Sequence, residues 1–224
     1  MKNLTALFLF FTLYAAAFAQ KPFDYASDYR SIKEQVLTIG GPLEYDSLLA
    51  RFQRADTTMP SSDVLALMIG FTAQPAYKPY IVLDDELRIN KLNMADDYKK
   101  ALAVSDSFLR SYPLSIKVIF ERMVAFNGLG QADSANYYAN QVRLLRDAMY
   151  DSGSIFDKEG AAFALAPLDG RYFLLALGYE ALTVAYVTDS MRYRIEMIEI
   201  KNNNGTKVPF YFNIQHAHLT NTQK

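Results

Sequence analysis

The spacing of apolar residues changes near residue 151, and this change constrains the fold more than any other feature of the sequence. Between Tyr25 and Met149, apolar residues recur three and four positions apart in separate runs, which is the spacing of one helix face. Between Asp189 and Ile200 they alternate with polar residues, as they do in a strand. The sequence therefore predicts an α+β fold, mainly α, in which an antiparallel helical body precedes a β-hairpin or small antiparallel sheet.

Turn residues divide the helical part into short elements. The predicted helices cover 24–39, 45–54, a stretch that begins at Pro60-Ser61, 95–111, 114–127 and a longer helix from Asp133 or Ser134 to Met149. Short turns between the last three predict antiparallel neighbours that resemble tetratricopeptide helix pairs. A full repeat array is not expected, because the 34-residue offset of such repeats aligns Ala101 with Ala135 and little else. Residues 81–93 are ambiguous, and 161–186 fit either a buried helix or strands.

The C-terminal pattern predicts two strands joined by a tight turn. The first strand has an apolar face of Met191, Tyr193, Ile195 and Met197 and a polar face of Arg192, Arg194 and Glu196. Residues Asn202 to Gly205 are typical of a hairpin turn, because Asn and Gly tolerate positive φ. The second strand runs from Lys207 to Ile214, and Pro209 within it favours a position at the sheet edge.

The first twenty residues have the pattern of a secretory signal. Lys2 precedes an uncharged apolar core from Leu4 to Ala16, and Ala17-Phe18-Ala19 is a small-x-small cleavage signal before Gln20. The apolar run of about 15 residues is shorter than the ~20 that a membrane-spanning helix needs. We therefore expect export with cleavage between Ala19 and Gln20, to the periplasm or the cell exterior.

The expected organisation is a signal peptide, 1–19, followed by a single mature domain, 20–224. Within the mature domain the helical body covers 20–160, the apolar segment and hairpin cover 161–215, and 216–224 is interpreted as a tail. No cysteine follows the signal core, so a lipoprotein anchor has no acceptor. No later apolar run reaches the ~18 residues of a membrane-spanning helix, so no membrane insertion of the mature chain is expected.

Composition argues against several classes of function. The 23 Lys and Arg against 24 Asp and Glu leave a net charge of −1, which provides no electrostatic reason to expect nucleic-acid binding. The chain has no cysteine, which excludes disulfides, thiolate metal sites and a cysteine nucleophile. It contains no nucleophile elbow, zinc-protease motif or phosphate-binding glycine loop. No cofactor is therefore expected.

A series of short stretches, taken together by order and spacing, resembles a known family. The stretches are Tyr45-x-x-Leu48-x-x-Arg51-Phe52, Asp56-Thr57-Thr58 with Asp63 and Gly70, Gln74-x-x-Tyr77-x-Pro79-Tyr80, Tyr112-Pro113-Leu114, Gly128-Leu129-Gly130, Arg171-Tyr172-Phe173-Leu174-Leu175 and Phe210-Tyr211-Phe212-Asn213-Ile214. They resemble a family of exported Bacteroidetes proteins catalogued as domain of unknown function 4919. The resemblance implies export and a helical body with a terminal sheet, and it implies no activity. The chain departs from the family pattern at Ser154-Ile155-Phe156 and at Arg171, where acidic residues are expected.

The two histidines are the weak metal candidates of this chain. If the last strand continues past Ile214, His216 and His218 point to one face, because strand side chains repeat every two residues. Two imidazoles can hold zinc or copper, but carboxylates would have to complete the site. The alternative is a solvated tail, and we favour it.

Two acidic clusters offer carboxylates for acid–base chemistry. Residues 84–86 are Asp-Asp-Glu, and Asp96-Asp97 follows about ten positions later. Glycoside hydrolysis needs two facing carboxyl groups, and nothing in the sequence indicates that these face each other. Solvated surface is the favoured interpretation.

The aromatic and proline residues of the connection after Gly70 form a candidate binding surface. It consists of Gln74, Tyr77, Pro79 and Tyr80, and aromatics beside prolines can form a rigid contact surface. The favoured alternative is that these tyrosines pin the connection onto the helices.

Taken together, these observations favour a non-catalytic binding or scaffolding protein of the bacterial cell envelope, with an envelope protein as its possible partner. The alternative is a hydrolase that uses carboxylates or a His216/His218 metal centre. A third possibility is a structural envelope component whose edge strand pairs with another chain. The oligomeric state stays open.

Overall fold

A computed structural model describes residues 23–202 and 204–222, with the side chains described to residue 220. This part of the chain forms nine helices and four strands. In chain order they are α1 (Tyr25–Val36), α2 (Tyr45–Gln53), α3 (Ser61–Phe71), α4 (Leu83–Met94), α5 (Tyr98–Ser111), α6 (Ile116–Gly128), α7 (Ala132–Asp151), β1 (Ala162–Phe163), α8 (Asp169–Ala176), β2 (Ala181–Thr188), β3 (Arg194–Lys201), β4 (Lys207–Asn213) and α9 (Gln215–Thr222). The α+β fold with a C-terminal sheet is confirmed, and the signal segment lies outside the described residues.

Helix α3 is the central element of the helical body. Every residue from Val64 to Phe71 is buried, because α1, α2 and α7 all pack against this helix. A Cβ atom on Gly70 would lie 2.3 Å from Cγ1 of Val36, so the glycine allows α1 to approach closely. The spacing of apolar residues three and four positions apart predicts a helix with one buried face, but α3 is buried on all sides.

Helices α4 to α7 pack as successive neighbours, and α4 also contacts α6. The ambiguous residues 81–93 lie mostly in α4, where acidic residues occupy the first turn and so complement the helix dipole. These contacts are not specific to a tetratricopeptide arrangement, and that finer pairing stays a prediction. No helix among the described residues is long and apolar enough to cross a membrane.

The sheet has four strands in the order β1-β4-β3-β2, with β1 parallel to β4 and the other pairs antiparallel. Residues 161–186, which fitted either a helix or strands, contain both: β1, then α8, then most of β2. The predicted hairpin is confirmed as β3–β4, with Gly205 at φ +80° in its turn. The sheet is therefore mixed and larger than the expected hairpin.

Pro209 lies in the part of β4 that has no strand on its outer side. Strand β1 is only two residues long and pairs with Phe212 and Asn213, so it ends before it reaches the proline. Strand β4 lies inside the sheet, so the expected edge strand is wrong. Tyr211 N donates outward to Ile155 O at 2.9 Å, and Pro209, two residues earlier, likewise directs its nitrogen away from β3 and removes no ladder hydrogen bond.

The apolar face expected for β3 is one of two covered faces, and the expected polar face is covered as well. Met191 is 62% exposed in the turn before the strand, whereas Glu196 is fully buried beside Ile198 and Ile200. Glu196 lies opposite Phe212 of β4, on the sheet face that α8 covers through Phe173. Ile195 on the other face is also fully buried, and α9 contacts β3. Both faces of β3 are thus covered, which simple alternation cannot reveal.

The C-terminal residues do not form a solvated tail. The chain turns into α9 directly after Ile214, and both Ile214 and Ala217 are fully buried. The main apolar core extends from Val36 to Ala217, so the helical body and the sheet share it.

Candidate functional site

A buried ammonium group lies between two buried carboxylates where helices α4, α6 and α8 meet. Nζ of Lys117 lies 2.5 Å from Oδ1 of Asp169 and 3.3 Å from Oε2 of Glu86. It also donates to the carbonyl oxygen of Pro167 at 3.1 Å. Ser115 donates to the other oxygen of Glu86 at 2.7 Å. We call Glu86, Lys117, Asp169 and the nearby Glu196 the buried charge network.

Each charge of this network depends on the others. Burial alone would lower the pKa of Lys117, but the carboxylates of Asp169 and Glu86 outweigh it and hold that pKa above its ordinary value. Burial raises the pKa of Glu86 in spite of the nearby ammonium. Removing Lys117 would leave the carboxyl groups of Glu86 and Asp169 buried without their cation.

Glu196 is the fourth member of the network. Its Oε1 accepts a hydrogen bond from the backbone N–H of Leu168 at 2.8 Å, and the Tyr186 hydroxyl interacts with the same carboxyl group. Leu168 has a φ of +67°, an uncommon conformation for a residue with a side chain. Burial raises the pKa of Glu196 to about 7, and the nearby Asp169 adds to the effect. A carboxyl group that titrates near neutral pH suits acid–base chemistry.

The space beside the network is too small for a substrate. The cavity next to Lys117 and Asp169 has a volume of about 20 Å³ and is lined mainly by apolar and aromatic side chains such as Phe71, Tyr77 and Tyr112. This volume corresponds to a single water molecule. The arrangement therefore joins α4, α6, α8 and β3, and in this conformation it offers no room for hydrolysis.

The predicted binding surface is divided between the core and the exterior. Tyr77 is 6% exposed and donates its hydroxyl to the carbonyl oxygen of Leu165 at 2.6 Å, while Pro79 is also buried and lines the small cavity. Gln74 and Tyr80 are half-buried. A partner could therefore touch only Gln74 and Tyr80 of this set.

The two histidines do not converge. They lie in α9 rather than in a continued strand, and residues two apart in a helix point in nearly opposite directions. His216 is 3% exposed and stacks on Phe163 with ring centroids 4.4 Å apart, whereas His218 is half-exposed. Burial lowers the pKa of His216 to about 3, so this side chain is neutral. The expectation of a strand face and the favoured alternative of a solvated tail are both wrong for His216.

The two acidic clusters also stay apart. Asp84 and Asp85 are exposed in the first turn of α4, and Asp96 and Asp97 are exposed beyond its end. The helix runs eight residues from Glu86 to its end at Met94, which is about 12 Å, and Asp96 lies two residues further on. No group of three or more His, Cys, Asp or Glu residues in the described part of the chain could hold a metal ion.

Strand β2 forms an open edge of the sheet. Asp189 N donates to Tyr193 O at 3.3 Å, so these residues are a hydrogen-bonded pair at the turn between β2 and β3. Such pairs recur at every second residue of an antiparallel ladder, and the intervening residues direct their main-chain groups to the other side. The residues whose N–H and C=O groups point away from the sheet are Val184, Tyr186 and Thr188. No other strand in 23–202 or 204–222 pairs with this side.

The side chains around this edge are apolar and exposed. Leu182 is 52% and Tyr186 is 40% exposed, and Leu177 and Tyr179 just before the strand are 43% and 45% exposed. The Arg194 guanidinium lies 4.5 Å from the ring centroid of Tyr186. Strand β2 itself carries no charged residue and no proline. Natural proteins usually protect an edge of this kind with charges, proline or bulges. Of these, β2 has only a register shift between Ala181 and Thr183, which leaves Thr183 to Thr188 as its regular edge.

Two surface clefts adjoin the first helix, α1. The larger, about 530 Å³, lies between α1, the start of α3 and the end of α7, and its polar lining includes Asp28, Ser31, Ser61 and Asp151. The smaller, about 340 Å³, lies beside Tyr25 and Tyr193. Neither cleft brings together groups that define a reaction.

Comparison with known proteins gives one match. The chain matches a family described as "Domain of unknown function (DUF4919)" over residues 30–223. This chain belongs to the DUF4919 family. The resemblance of the short stretches is thereby confirmed. No curated protein and no solved structure matches the chain significantly.

The DUF4919 match contains the buried charge network and the β2 edge, neither of which emerged from sequence reasoning. Lys117 and Glu86 lie in helices whose charges are expected at the surface, and no spacing rule connects them to Asp169. Strand β2 carried a usable signal, since Ala181 to Thr188 is uncharged and rich in β-branched residues. Its position at the edge depends on the order of strands in the sheet.

Proposed function

We propose that this DUF4919 protein is a non-catalytic binding protein of the bacterial cell envelope and that β2 is its binding element. The partner is a polypeptide whose extended segment adds to the sheet as a further strand. One observation carries the proposal: β2 is an uncharged edge strand with exposed apolar side chains, and the main-chain groups of Val184 and Tyr186 point away from the sheet. Strand addition uses the main chain for affinity and alternate side chains for specificity.

The chemistry of the edge supports this choice of partner. An added strand would receive hydrogen bonds from the outward groups of Val184 and Tyr186 and would cover part of Leu182. The half-buried Tyr80 interacts electrostatically with Arg194, and Arg194 lies over the Tyr186 ring, so one residue of the sequence-predicted surface lies beside β2. Lys and Arg side chains are absent from the strand, which favours an apolar or β-branched segment over an acidic one.

The buried charge network supports binding over hydrolysis. Its carboxyl groups are positioned by backbone and ammonium contacts, and the adjoining cavity accommodates only about one water molecule. A hydrolase would need space for a scissile bond beside Glu196 or Asp169. The network is better suited to holding α8 and β3 in place beneath the edge strand.

Location in the envelope rests on the N-terminal sequence. We propose that the chain is exported and cleaved between Ala19 and Gln20. Mass spectrometry of the protein purified from its own host tests this directly. A mature N-terminus at Gln20 supports the proposal, and an intact Met1 or Lys2 contradicts it.

A photo-crosslinking amino acid at the edge tests the binding function. Benzoylphenylalanine replaces Tyr186 in the host cell, and the matched control replaces Tyr150, which is 56% exposed in α7. We expect a discrete polypeptide adduct at 186 that is absent at 150. The adduct should disappear on Val184→Pro, because that proline removes an outward N–H without breaking the β2–β3 ladder. Equal adducts at both positions, or none at 186, would contradict strand addition.

A further inference from the structure

We propose that the smaller surface cleft, between the start of α1 and the turn that joins β2 to β3, binds a basic residue of a polypeptide. We call this space of about 340 Å³ the acidic cleft. The inference is separate from strand addition at β2 and concerns a second site. Three features of the described residues support it: buried polar atoms without a partner, a net negative lining, and aromatic rings.

Asp189 presents a carboxylate oxygen without a donor to the acidic cleft. The residue is 9% exposed, and its Oδ1 accepts a hydrogen bond from the N–H of Tyr193 at 2.7 Å. No donor among the described residues reaches its Oδ2, and Asp189 is part of the cleft lining. A charged donor on a ligand would make a charge-assisted hydrogen bond there, and burial strengthens such a bond.

The charges around the acidic cleft favour a cation. Asp24 and Glu159 line it together with Asp189, and no Lys or Arg of the described chain is part of the lining. Lys158 pairs with Glu159 at 3.3 Å from outside the lining, and Arg192 is exposed in the neighbouring turn. The N-terminus of α1 also lies here, but Asp24 accepts one of its N–H groups and offsets the helix dipole. The lining therefore keeps a net negative charge.

The lining suits an organic cation better than a metal ion. The described residues contain no group of three or more His, Cys, Asp or Glu that could hold a metal. The half-buried rings of Phe23, Tyr25 and Tyr193 also line the cleft, and the last two rings lie in edge contact with centroids 5.1 Å apart. Aromatic rings attract ammonium and guanidinium groups and pack against the methylene groups that carry them. The side chain of Lys or Arg combines both properties.

A buried amide favours a residue within a polypeptide over a free cation. Asn213 is 4% exposed and lines the cleft, and its Oδ1 accepts the N–H of Gln215 at 2.9 Å. Its Nδ2 has no acceptor among the described residues. Simple organic cations carry donors only, whereas each residue of a polypeptide adds a carbonyl oxygen that can accept from Nδ2. Asp189 and Asn213 together therefore match a basic side chain and a nearby carbonyl group.

Two small ligands of the same shape test the acidic cleft in the full mature chain. The probe is acetyl-argininamide, and acetyl-citrullinamide is its neutral counterpart. We expect the probe to shift the amide signals of Ser190 and Tyr193 saturably in proton–nitrogen correlation spectra. The citrulline compound should bind about tenfold more weakly or less, because it lacks the charge. Equal affinities, or no shift of these signals up to the solubility limit of the probe, would overturn the proposal.

Substitutions of the carboxylates locate the site. Asp189→Asn should weaken binding of acetyl-argininamide about tenfold or more, and its remaining oxygen can still accept the Tyr193 N–H that holds the turn. Glu159→Gln alters an exposed position that the fold tolerates, and it should weaken binding severalfold. Asp84→Asn removes an exposed charge from α4 and is the matched control, with unchanged affinity expected. Equal losses in Asp84→Asn and Asp189→Asn would overturn the proposal, because they would indicate long-range attraction alone.

Butylguanidine distinguishes a polypeptide residue from a free cation. It carries a guanidinium group on an aliphatic chain without a carbonyl oxygen, so it should bind severalfold more weakly than acetyl-argininamide. Butylguanidine that binds as tightly as the probe would overturn the assignment to a polypeptide. Failure of these titrations leaves strand addition standing, because the adduct at residue 186 tests that proposal separately.

Discussion

Replacing Glu196 by Gln should change the pH dependence of stability in a defined direction. The folded-state pKa of Glu196 is about 7, against 4.5 for an ordinary Glu, so the folded chain binds more protons than the unfolded chain between these values. The wild type therefore loses stability as pH rises through this window. At 1.36 kcal/mol per pKa unit the loss is about 3 kcal/mol, complete by about pH 8.

The Gln side chain keeps the acceptor for Leu168 N–H and cannot ionise. Its amide N–H groups would lie near the Tyr186 hydroxyl in place of Oε2, and this exchange costs about 1 kcal/mol at every pH. We therefore expect Glu196→Gln to be slightly less stable than wild type near pH 4.5 and about 2 kcal/mol more stable near pH 8. The difference between the two proteins isolates Glu196, because the other titrating groups of the network are shared.

Urea unfolding followed by circular dichroism, at several pH values between about 4.5 and 8, measures this difference. Glu199→Gln on the same strand is the control. Hydrogen bonds from Thr183 and Lys207 lower the pKa of Glu199, so its contribution to stability is present at neutral pH and is lost as pH falls. A constant difference between wild type and Glu196→Gln across the whole pH range would refute the reasoning.

Other substitutions test the remaining buried contacts. Lys117→Met leaves two buried carboxylates without their cation, and it should lower the free energy of unfolding by about 3 kcal/mol or more in urea. Recovery of part of this stability in the double variant with Asp169→Asn identifies the ion pair as the cause. His216 is neutral in the folded chain and charged in the unfolded chain at mildly acidic pH, so the wild type should lose about 3 kcal/mol of stability as the pH falls from 6.5 to about 4.5. His216→Phe should remove this loss, and equal acid sensitivity of the two proteins contradicts the argument. Tyr77→Phe should cost about 1 kcal/mol through the lost bond to Leu165, while Tyr150→Phe costs nothing measurable in the same melt. Gly70→Ala should cost about 1–3 kcal/mol because its Cβ would lie 2.3 Å from Val36, and Val36→Ala in the same chain should recover part of the loss.

Local patterns predicted most of the elements. The apolar spacing and the capping residues placed α1, α2, α3, α5, α6 and α7 close to their observed positions. Helix formation depends on contacts between residues three and four positions apart, so the signal lies within each segment. The Asn-rich turn placed the β3–β4 hairpin for the same reason, since the geometry of a tight turn depends on only a few residues. The proposed export signal is also a local pattern, and it lies outside the described residues.

Tertiary structure decided what the local patterns left open. Residues 161–186 are apolar throughout, so their division into β1, α8 and β2 depends on which segments they meet. The burial of Glu196 and His216 could not be predicted, because covering elements supplied from elsewhere in the chain decide whether a polar side chain is exposed. Helix α8 covers the face of β3 that carries Glu196, and α9 contacts β3 as well. The short polar sequence of α9 does not reveal that this helix folds back onto the sheet.

The candidate sites follow the same division. The sequence determined that β2 is uncharged and β-branched, which are properties of its own residues. The order of the sheet decided that this strand lies at an edge, because β4 rather than β2 pairs with β1. Lys117 and Asp169 are 52 positions apart, and only packing of α6 against α8 brings them into contact. Interactions at that separation depend on the whole fold, whereas helices and turns depend on their neighbours in the chain.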